Sequence, residues 1–195
     1  MHVAVVVPIR AFSDAKHRLA EVLDGAARAE LARTLATRVV RAARHLPVYV
    51  VCDDDTVANW ARAEGASVLW RPAAGLNDAA SFGLAAARDD GFGQVIVAHA
   101  DLPHARDLTP LAGFDGVTLV PDRHDDGTNV LCVPVDRGFR FAYGPGSFHR
   151  HVAEAERVGA AVRVLRDPEL AWDVDVPDDL AYDVRKPSPA DTSTN

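Results

Sequence analysis

The chain has 195 residues, of which 48% are hydrophobic and 25% charged, and its net charge at pH 7 is −7. These values are typical of a globular protein with one sizeable core. The negative net charge argues against a nucleic-acid partner. No apolar run reaches the ~18 residues of a membrane-spanning helix, so we expect no membrane partner.

The first residues enter a strand-like run at once, without the basic and apolar regions of a signal peptide. Cys52 and Cys132 are far apart and in no metal or redox spacing. Two isolated, buried thiols are typical of a reducing compartment, so we expect a cytoplasmic protein.

Apolar runs that favour strands alternate along the chain with patterns that favour helices. Strands are predicted at 2–8, 47–52, 66–70, 94–98, 116–121, 129–134 and 161–165. Helices are predicted at 26–45, 55–64, 78–90, 147–159 and 177–184. Because continuous β-branched runs are typical of strands covered on both faces, the pattern predicts an α/β protein with a mostly parallel sheet between helices.

Two further segments depart from this alternation. The stretch 121–146 is richer in Gly, Pro and Asp, and we interpret it as a β-rich insertion around a site. Residues 186–195 lack apolar side chains and are predicted to be a disordered tail. Residues 1–185 are then expected to form a single domain.

A cationic loop follows the first predicted strand and carries Arg10, Lys16 and Arg18. Ligands in open α/β sheets bind at the carboxyl ends of strands, and guanidinium and ammonium groups bind phosphate oxygens. The chain has neither a G-x-x-x-x-G-K-[ST] loop nor a G-x-G-x-x-G turn, so any nucleotide would be held through this loop. The alternative is a solvated surface loop.

Two acidic segments are candidates for a hard-cation site. Asp101 follows the strand predicted at 94–98, and Asp173 and Asp175 point to one side if their segment is extended. Mg²⁺ commonly binds one or two carboxylates together with phosphate oxygens. The alternative for Asp101 is a turn cap, and Asp178 and Asp179 are better explained as charges at a helix start.

Other polar clusters are better explained by local structure. Asp53, Asp54 and Asp55 end a strand and begin a helix, which favours a capping role. The Asp125-Asp126-Gly127 segment favours a turn. The histidines have no metal-site spacing, and His149 and His151 diverge on a helix.

The segment 143–148, Tyr-Gly-Pro-Gly-Ser-Phe, precedes a predicted helix. Its glycines allow a ligand to approach the backbone, and a helix N-terminus favours anions. Ser147 is either a ligand contact or a simple N-cap. Thr128 could add a hydroxyl to the same pocket.

Several motifs occur together in one order. They are Pro8-Ile9-Arg10, Ala15-Lys16-His17-Arg18-Leu19, Leu76-Asn77, Asp101-Leu102-Pro103, Pro121-Asp122-Arg123, Gly127-Thr128-Asn129, the segment 143–148 and Asp173-Val174-Asp175. The set resembles the phosphoenolpyruvate or 2-phospho-L-lactate guanylyltransferases of deazaflavin coenzyme F-420 biosynthesis, over about residues 3–184.

The resemblance implies a three-layer nucleotidyltransferase fold, like that of nucleotide-diphospho-sugar transferases, with a mostly parallel mixed sheet. It implies that GMP from GTP is joined to the phosphate of a three-carbon phospho-acid, with release of pyrophosphate. Phosphoenolpyruvate is favoured as the acceptor, because abundant Ala and Arg suggest a GC-rich bacterial genome.

The resemblance also assigns site residues. Those implied to be catalytic are Arg10, Lys16, Asp101 and Asp175. Those implied to bind the nucleotide are Pro8, Arg10, Lys16, Arg18 and Asn77, with Asn77 near the base and ribose. Those implied to hold the phospho-acid are Thr128, Gly144 and Ser147. The cofactor implied is Mg²⁺, on Asp101 and Asp175.

The chain has Arg10 where the family usually has Lys, and Gly146 where it often has Asp. Phosphoenolpyruvate, 2-phospho-L-lactate and 3-phosphoglycerate therefore stay open as acceptors, and so does the oligomeric state. The alternatives are another nucleotidyltransferase such as a molybdenum-cofactor guanylyltransferase, a non-catalytic nucleotide-binding module on the same fold, and a glycosyltransferase using Asp173-Val174-Asp175.

Overall fold

The computed structural model of the chain describes residues 2–73 and 75–181. The strands are β1 (Val3–Pro8), β2 (Val48–Cys52), β3 (Ser67–Trp70), β4 (Gln94–Ala98), β5 (Val117–Pro121), β6 (Thr128–Pro134) and β7 (Val162–Val164). The α-helices are α1 (Gly25–Ala42), α2 (Asp55–Ala63), α3 (Leu76–Asp89) and α4 (Ser147–Arg157). Short 3-10 turns span Phe12–Asp14, His17–Leu19, Thr109–Leu111 and Pro177–Ala181.

The strands form one seven-stranded sheet in the order β3-β2-β1-β4-β6-β5-β7. β1 pairs in parallel with both β2 and β4, and β5 pairs in parallel with β7. β6 is antiparallel to both of its neighbours, β4 and β5. The chain leaves β1 towards β2 on one side and reaches β4 on the other, so the carboxyl ends of β1 and β4 flank the switch point where open α/β sheets bind ligands.

Helices cover both faces of the sheet, and each face has its own apolar core. Buried residues of α1 and α2 pack with alternate side chains of β1 such as Val5 and Val7. Buried residues of α3 and α4 pack with the intervening β1 side chains Ala4 and Val6. The predicted three-layer α/β architecture with a mostly parallel sheet is confirmed.

Local chemistry sets the helix starts as predicted. The Asp54 carboxylate accepts a hydrogen bond from the Val57 backbone N–H at 2.9 Å and caps α2, and Asp55 lies in the first turn of that helix. The Asp53 carboxylate instead accepts a hydrogen bond from the Ala73 backbone N–H at 2.8 Å. The 122–127 segment is a turn, because the Asp122 carboxylate accepts hydrogen bonds from the backbone N–H groups of residues 124, 126 and 127. Cys52 and Cys132 are free and buried.

Two predictions about elements were wrong. The helix predicted at 177–184 is a 3-10 turn over Pro177–Ala181 within the described residues, and 182–184 lie outside them. The Asp179 carboxylate stabilises this turn by accepting hydrogen bonds from the backbone N–H groups of Asp175 and Val176, at 2.6 and 2.8 Å. The stretch 121–146 is not a β-rich insertion, because its strand, β6, is an internal strand of the main sheet.

The predicted tail at 186–195 lies outside the described residues, and the single-domain boundary at 185 stays a prediction. Over the described ranges, no helix combines the length and the apolar character needed to cross a bilayer.

Candidate active site

A cavity of about 840 Å³ opens at the edge of the sheet where β1, β4 and β5 end and β6 begins. Predicted site residues in its lining are Pro8, Arg10, Lys16, Arg18, Asp101, Thr128, Gly144, Ser147 and Asp175. These residues come from five separate segments of the chain. The structure therefore brings both the cationic loop and the predicted acids to one cavity, as the strand pattern predicts.

Three carboxylates meet in this cavity. Oxygens of Asp101, Asp173 and Asp175 lie within 4.8 Å of one another. Asp101 follows β4, whereas Asp173 and Asp175 come from the segment before the Pro177 turn. Burial raises the pKa of Asp173, and the charges of Asp101 and Asp175 raise it further. A cation placed between these groups would relieve that repulsion.

The alternation predicted for Asp173 and Asp175 is present, and the residue between them anchors the segment. Val174 is buried in a small apolar cluster with Leu19 and Leu35. Its backbone N–H donates to the Asp101 carbonyl oxygen at 3.2 Å. Because side chains alternate along an extended segment, burying Val174 turns both neighbouring carboxylates to the cavity.

Lys16 reaches into the acidic cluster from the cationic loop. Its Nζ lies 2.6 Å from Asp101 Oδ2 and 3.4 Å from Asp175 Oδ1, and its side chain is only 9% exposed. Burial disfavours the ammonium ion, but the two carboxylates outweigh that effect and raise the pKa of Lys16. Burial likewise opposes ionisation of Asp101, yet the Lys16 charge holds the pKa of that carboxyl below its usual range.

The backbone at Lys16 is left-handed, with φ of 58°, and it precedes the 3-10 turn His17–Leu19. A left-handed residue other than Gly, Asn or Asp carries strain, which is often found at functional sites. The turn places Leu19 in the apolar cluster with Val174. One small core thus fixes both the cation and the acids.

The two arginines of the loop are more exposed than Lys16. The Arg18 side chain is 75% exposed, and its guanidinium lies 3.8 Å from Asp175 Oδ2. Arg10 is exposed two residues after Pro8 ends β1. Both guanidiniums are therefore accessible to an anion in the cavity.

Arg123, which the sequence placed only within a motif, supports the acids. Its guanidinium lies 2.7 Å from an Asp179 oxygen and 3.7 Å from an Asp173 oxygen. It also stacks over the Trp172 ring at 4.1 Å. Asp179 lies in the first turn of the 3-10 segment Pro177–Ala181 and not at an α-helix start. The Arg123 contact with its carboxylate holds the acidic segment in place.

The acidic group has the donor set of a metal site. It offers three carboxylate ligands, and Asp101 Oδ1 is buried without a hydrogen-bond partner among the described residues. Hard divalent cations prefer such oxygen ligands. The resemblance assigns the metal to Asp101 and Asp175 alone, and the alternation of Asp173 with Asp175 is the sequence signal for the third carboxylate.

The predicted phospho-acid residues line the part of the cavity where β6 and α4 begin. Thr128 begins β6 and is 0% exposed, and Ser147 begins α4 and is 2% exposed. Their hydroxyl oxygens lie 3.5 Å apart. Gly144, three residues before Ser147, has φ of 119°, a conformation that favours glycine.

The N-cap alternative for Ser147 was wrong. The N-cap of α4 is Gly146, with φ of 71°, and no side chain caps the helix. The first backbone donors are bound internally: the N–H groups of Gly146 and Phe148 donate to the carboxylate and carbonyl of Asp126, and that of Ser147 to Gly144. The Ser147 hydroxyl is thereby left for contacts at the cavity wall.

Asn77 is the one predicted residue outside the cavity lining. Its Oδ1 accepts a hydrogen bond from the Tyr143 N–H at 2.6 Å, and its Nδ2 donates to the Tyr143 carbonyl at 3.5 Å. In the structure Asn77 holds the backbone of the 143–148 segment. Its assignment to the base and ribose stays a prediction.

Polar residues outside the predicted set of site residues complete the wall. His99 and Tyr143 line the cavity, and the Tyr143 hydroxyl and His99 Nε2 are buried without hydrogen-bond partners among the described residues. His151 is fully buried behind Thr128, with its Nδ1 3.0 Å from Thr128 Oγ1. No spacing rule links positions 128 and 151, so only the folded chain reveals this contact.

Comparison with known proteins identifies the family. A family model described as guanylyl transferase CofC-like matches residues 3–184. The chain belongs to this family. The resemblance carried by the motifs is therefore confirmed, and it covers almost the same residues.

Relatives within the family cover nearly the whole chain. The phosphoenolpyruvate guanylyltransferase of Roseiflexus castenholzii is 35% identical over 190 residues, which are 96% of this chain and 90% of that protein. The phosphoenolpyruvate guanylyltransferase of Rubrobacter xylanophilus is 38% identical over 190 residues, 93% of each. Both of these relatives are named guanylyltransferases, and this chain matches them over nearly their whole length.

Among solved structures, a protein from Desulfovibrio desulfuricans G20 bearing the name nucleotide-diphospho-sugar transferase superimposes with a TM-score of 0.71. It is 19% identical, and the match covers 92% of this chain and 85% of that one. At this identity the likeness shows the fold alone. It confirms the nucleotide-diphospho-sugar transferase-like fold that the motifs implied.

Proposed function

We propose that this protein transfers GMP from GTP to the phosphate of a three-carbon phospho-acid, with phosphoenolpyruvate as the favoured acceptor, for deazaflavin coenzyme F-420 biosynthesis. The observation that carries the proposal is the contact of Lys16 with the Asp101–Asp173–Asp175 cluster inside the cavity. The family and the names of the full-length relatives support the same reaction.

The reaction is an in-line substitution at the α-phosphorus of GTP. An oxygen of the acceptor phosphate forms the new bond to that phosphorus, and the bond to the β-phosphate oxygen breaks, so pyrophosphate leaves with the electron pair. A phosphate acceptor is already ionised near neutral pH. The site therefore needs no strong general base, and positioning and electrostatics supply the catalysis.

The cationic loop is proposed to hold the triphosphate. Lys16 provides a buried ammonium at the acidic cluster, and Arg10 and Arg18 provide exposed guanidinium forks beside it. Together these groups stabilise the negative charge that develops on the leaving pyrophosphate. Pro8 ends β1 and sets the point at which the loop turns into the cavity.

Asp101, Asp173 and Asp175 are proposed to hold Mg²⁺, which would neutralise charge on the phosphate oxygens when bound. Three carboxylates against one ammonium leave the cluster net negative, which favours a divalent cation. Arg123 keeps Asp173 in place from outside the cluster.

The phospho-acid is proposed to lie against the wall formed by Thr128, Gly144 and Ser147. The Thr128 hydroxyl is a hydrogen-bond donor that suits a phosphate or carboxylate group, and the Ser147 hydroxyl donates to its oxygen at 3.5 Å. Gly144 allows the backbone to approach the ligand. This wall and the cationic loop line the same cavity. The phosphate of the bound phospho-acid would therefore face the α-phosphorus of the bound GTP.

Mass spectrometry of the products tests the proposed function. The protein is incubated with Mg²⁺ and GTP, and phosphoenolpyruvate, 2-phospho-L-lactate and 3-phosphoglycerate are offered separately, with ATP and CTP replacing GTP as controls. We expect a guanylylated phosphoenolpyruvate as the main product. Absence of a guanylylated product with every acceptor would refute the proposal.

A further inference from the structure

A fully buried histidine, His151, lies next to the cavity wall. His151 is fully buried on α4, four residues after Ser147, so the two side chains share a helix face. Its ring packs edge-on against Tyr143, with centroids 4.8 Å apart, and lies near Phe139 at 5.9 Å. The ring is therefore held in one orientation.

Both ring nitrogens of His151 are hydrogen-bonded, and the partners define the tautomer. The Ala142 backbone N–H can only donate, and it donates to His151 Nε2 at 2.9 Å. A neutral imidazole carries a single N–H, so the proton must be on Nδ1. Burial and the nearby Arg150 charge lower the pKa of His151 to about 4, which keeps the ring neutral near pH 7.

The tautomer in turn fixes the hydroxyl of Thr128. Nδ1–H donates to Thr128 Oγ1 at 3.0 Å, and the Ser147 hydroxyl donates to the same oxygen at 3.5 Å. A hydroxyl oxygen accepts two hydrogen bonds and donates one. Because both accepting positions of Thr128 Oγ1 are used, the Thr128 hydroxyl can interact with a molecule in the cavity only as a hydrogen-bond donor.

We propose that His151 is a positioning residue that makes Thr128 a hydrogen-bond donor to the anionic acceptor substrate. This proposal rests on the proposed function, because it assigns Thr128 to the phospho-acid end of the cavity. His151 itself does not touch the substrate. Its effect is on the acceptor, since its hydrogen bonds join Ala142 and Thr128 and none among the described residues joins the cationic loop that would hold GTP.

Two substitutions of matched polarity separate positioning from packing. His151→Asn keeps an N–H near the Nδ1 position, and so keeps the donor to Thr128 but loses the acceptor for Ala142. His151→Gln keeps an oxygen near the Nε2 position, and so keeps the acceptor for Ala142 but loses the donor to Thr128. His149→Gln, at an exposed position on the same helix, is the control.

Steady-state kinetics with GTP and phosphoenolpyruvate give the readout. We expect His151→Gln to raise the KM for phosphoenolpyruvate about tenfold, the effect of one lost hydrogen bond to a charged group, with the KM for GTP unchanged. His151→Asn should restore most of the phosphoenolpyruvate KM. Equal effects of both variants, or a parallel rise in the KM for GTP, would mean a structural role only and overturn the proposal.

Nitrogen-15 NMR of the wild-type histidines makes a separate test that needs no turnover and no variant. We expect His151 to be protonated on Nδ1, and an Nε2-protonated ring would overturn the proposal even if the variants fail to fold. If the wild-type protein makes no guanylylated product, the proposed function fails. The tautomer then stands or falls by itself in the NMR measurement.

Discussion

The Nζ of Lys16 lies 2.6 Å from Oδ2 of Asp101, although the two residues are 85 positions apart in the chain. The pair joins the loop after β1 to the loop after β4, the two strands at the centre of the switch point. Because the pair is largely buried, its charges are poorly screened by water, and its loss should affect the site more than loss of a surface ion pair.

Replacing Lys16 by Met should reduce kcat/KM about 100-fold or more, the usual effect of removing one charge-stabilising donor. The variant also leaves the carboxylates without their internal cation. Pyrophosphate release from GTP and phosphoenolpyruvate is the measurement. His17→Gln, next to it but outside the cavity lining, is the control; equal losses in both variants would mean that the loop, not the ammonium, matters.

Thr128→Val and Ser147→Ala should weaken binding of the phospho-acid more than binding of GTP. Each removes one buried hydroxyl from the cavity lining, and we expect the KM for phosphoenolpyruvate to rise about three- to tenfold. The KM for GTP, measured in the same preparations, should stay within experimental error. Unchanged acceptor KM values in both variants would place the phospho-acid elsewhere.

The stability of the protein should fall between pH 6.5 and 4 because of His151. The folded-state pKa is lowered to about 4 from its ordinary value of 6.5. The unfolded chain therefore binds the proton first as pH falls. The stabilisation is fully present above pH 6.5 and is lost on the way to pH 4, by about 3 kcal/mol.

Urea unfolding of wild-type protein and His151→Gln across this range tests the assignment. Asp101, with a lowered pKa, and Asp173, with a raised pKa, also contribute to the pH profile, as does Glu154, whose pKa is lowered beside Arg157. The difference between the two proteins isolates His151. A difference that does not change with pH would contradict its burial in the neutral form.

A substitution in α3 tests the packing that supports the site. A Cβ at Gly83 would collide with the Val6 side chain of β1. Gly83→Ala should therefore destabilise the fold by about 1–3 kcal/mol, despite the better helix propensity of Ala. Gly25→Ala, within α1 and with its nearest neighbouring atom at 3.9 Å, is the control in urea unfolding; equal stabilities would show that α3 shifts freely on the sheet.

Much of the fold follows from local pattern. The runs at β1, β2 and β4 are continuous and β-branched, so their strands and central positions could be predicted. The antiparallel direction of β6 could not be predicted, because hydrophobic periodicity does not tell which strands pair with one another. The local pattern at Pro177 predicts a longer helix, because the hydrogen bonds from the N–H groups of residues 175 and 176 to Asp179 form only in the folded segment.

The site divides in the same way. Position after a strand predicted Asp101 and the cationic loop, and alternation offered Asp173 together with Asp175. The burial of Lys16 between two carboxylates does not follow from the sequence, since a loop cation is exposed by default. Pairs such as Thr128 and His151 depend on the docking of α4 beside β6, which no local pattern encodes.

The most direct test of the account is pyrophosphate release from GTP and phosphoenolpyruvate by Asp101→Asn, with Asp178→Asn as the control. Asp178 is exposed and lies outside the acidic cluster. With saturating Mg²⁺, we expect Asp101→Asn to lose at least about 100-fold in kcat with an unchanged far-ultraviolet spectrum, and Asp178→Asn to match wild type. Wild-type turnover by Asp101→Asn would contradict the assignment of this carboxylate cluster as the catalytic centre.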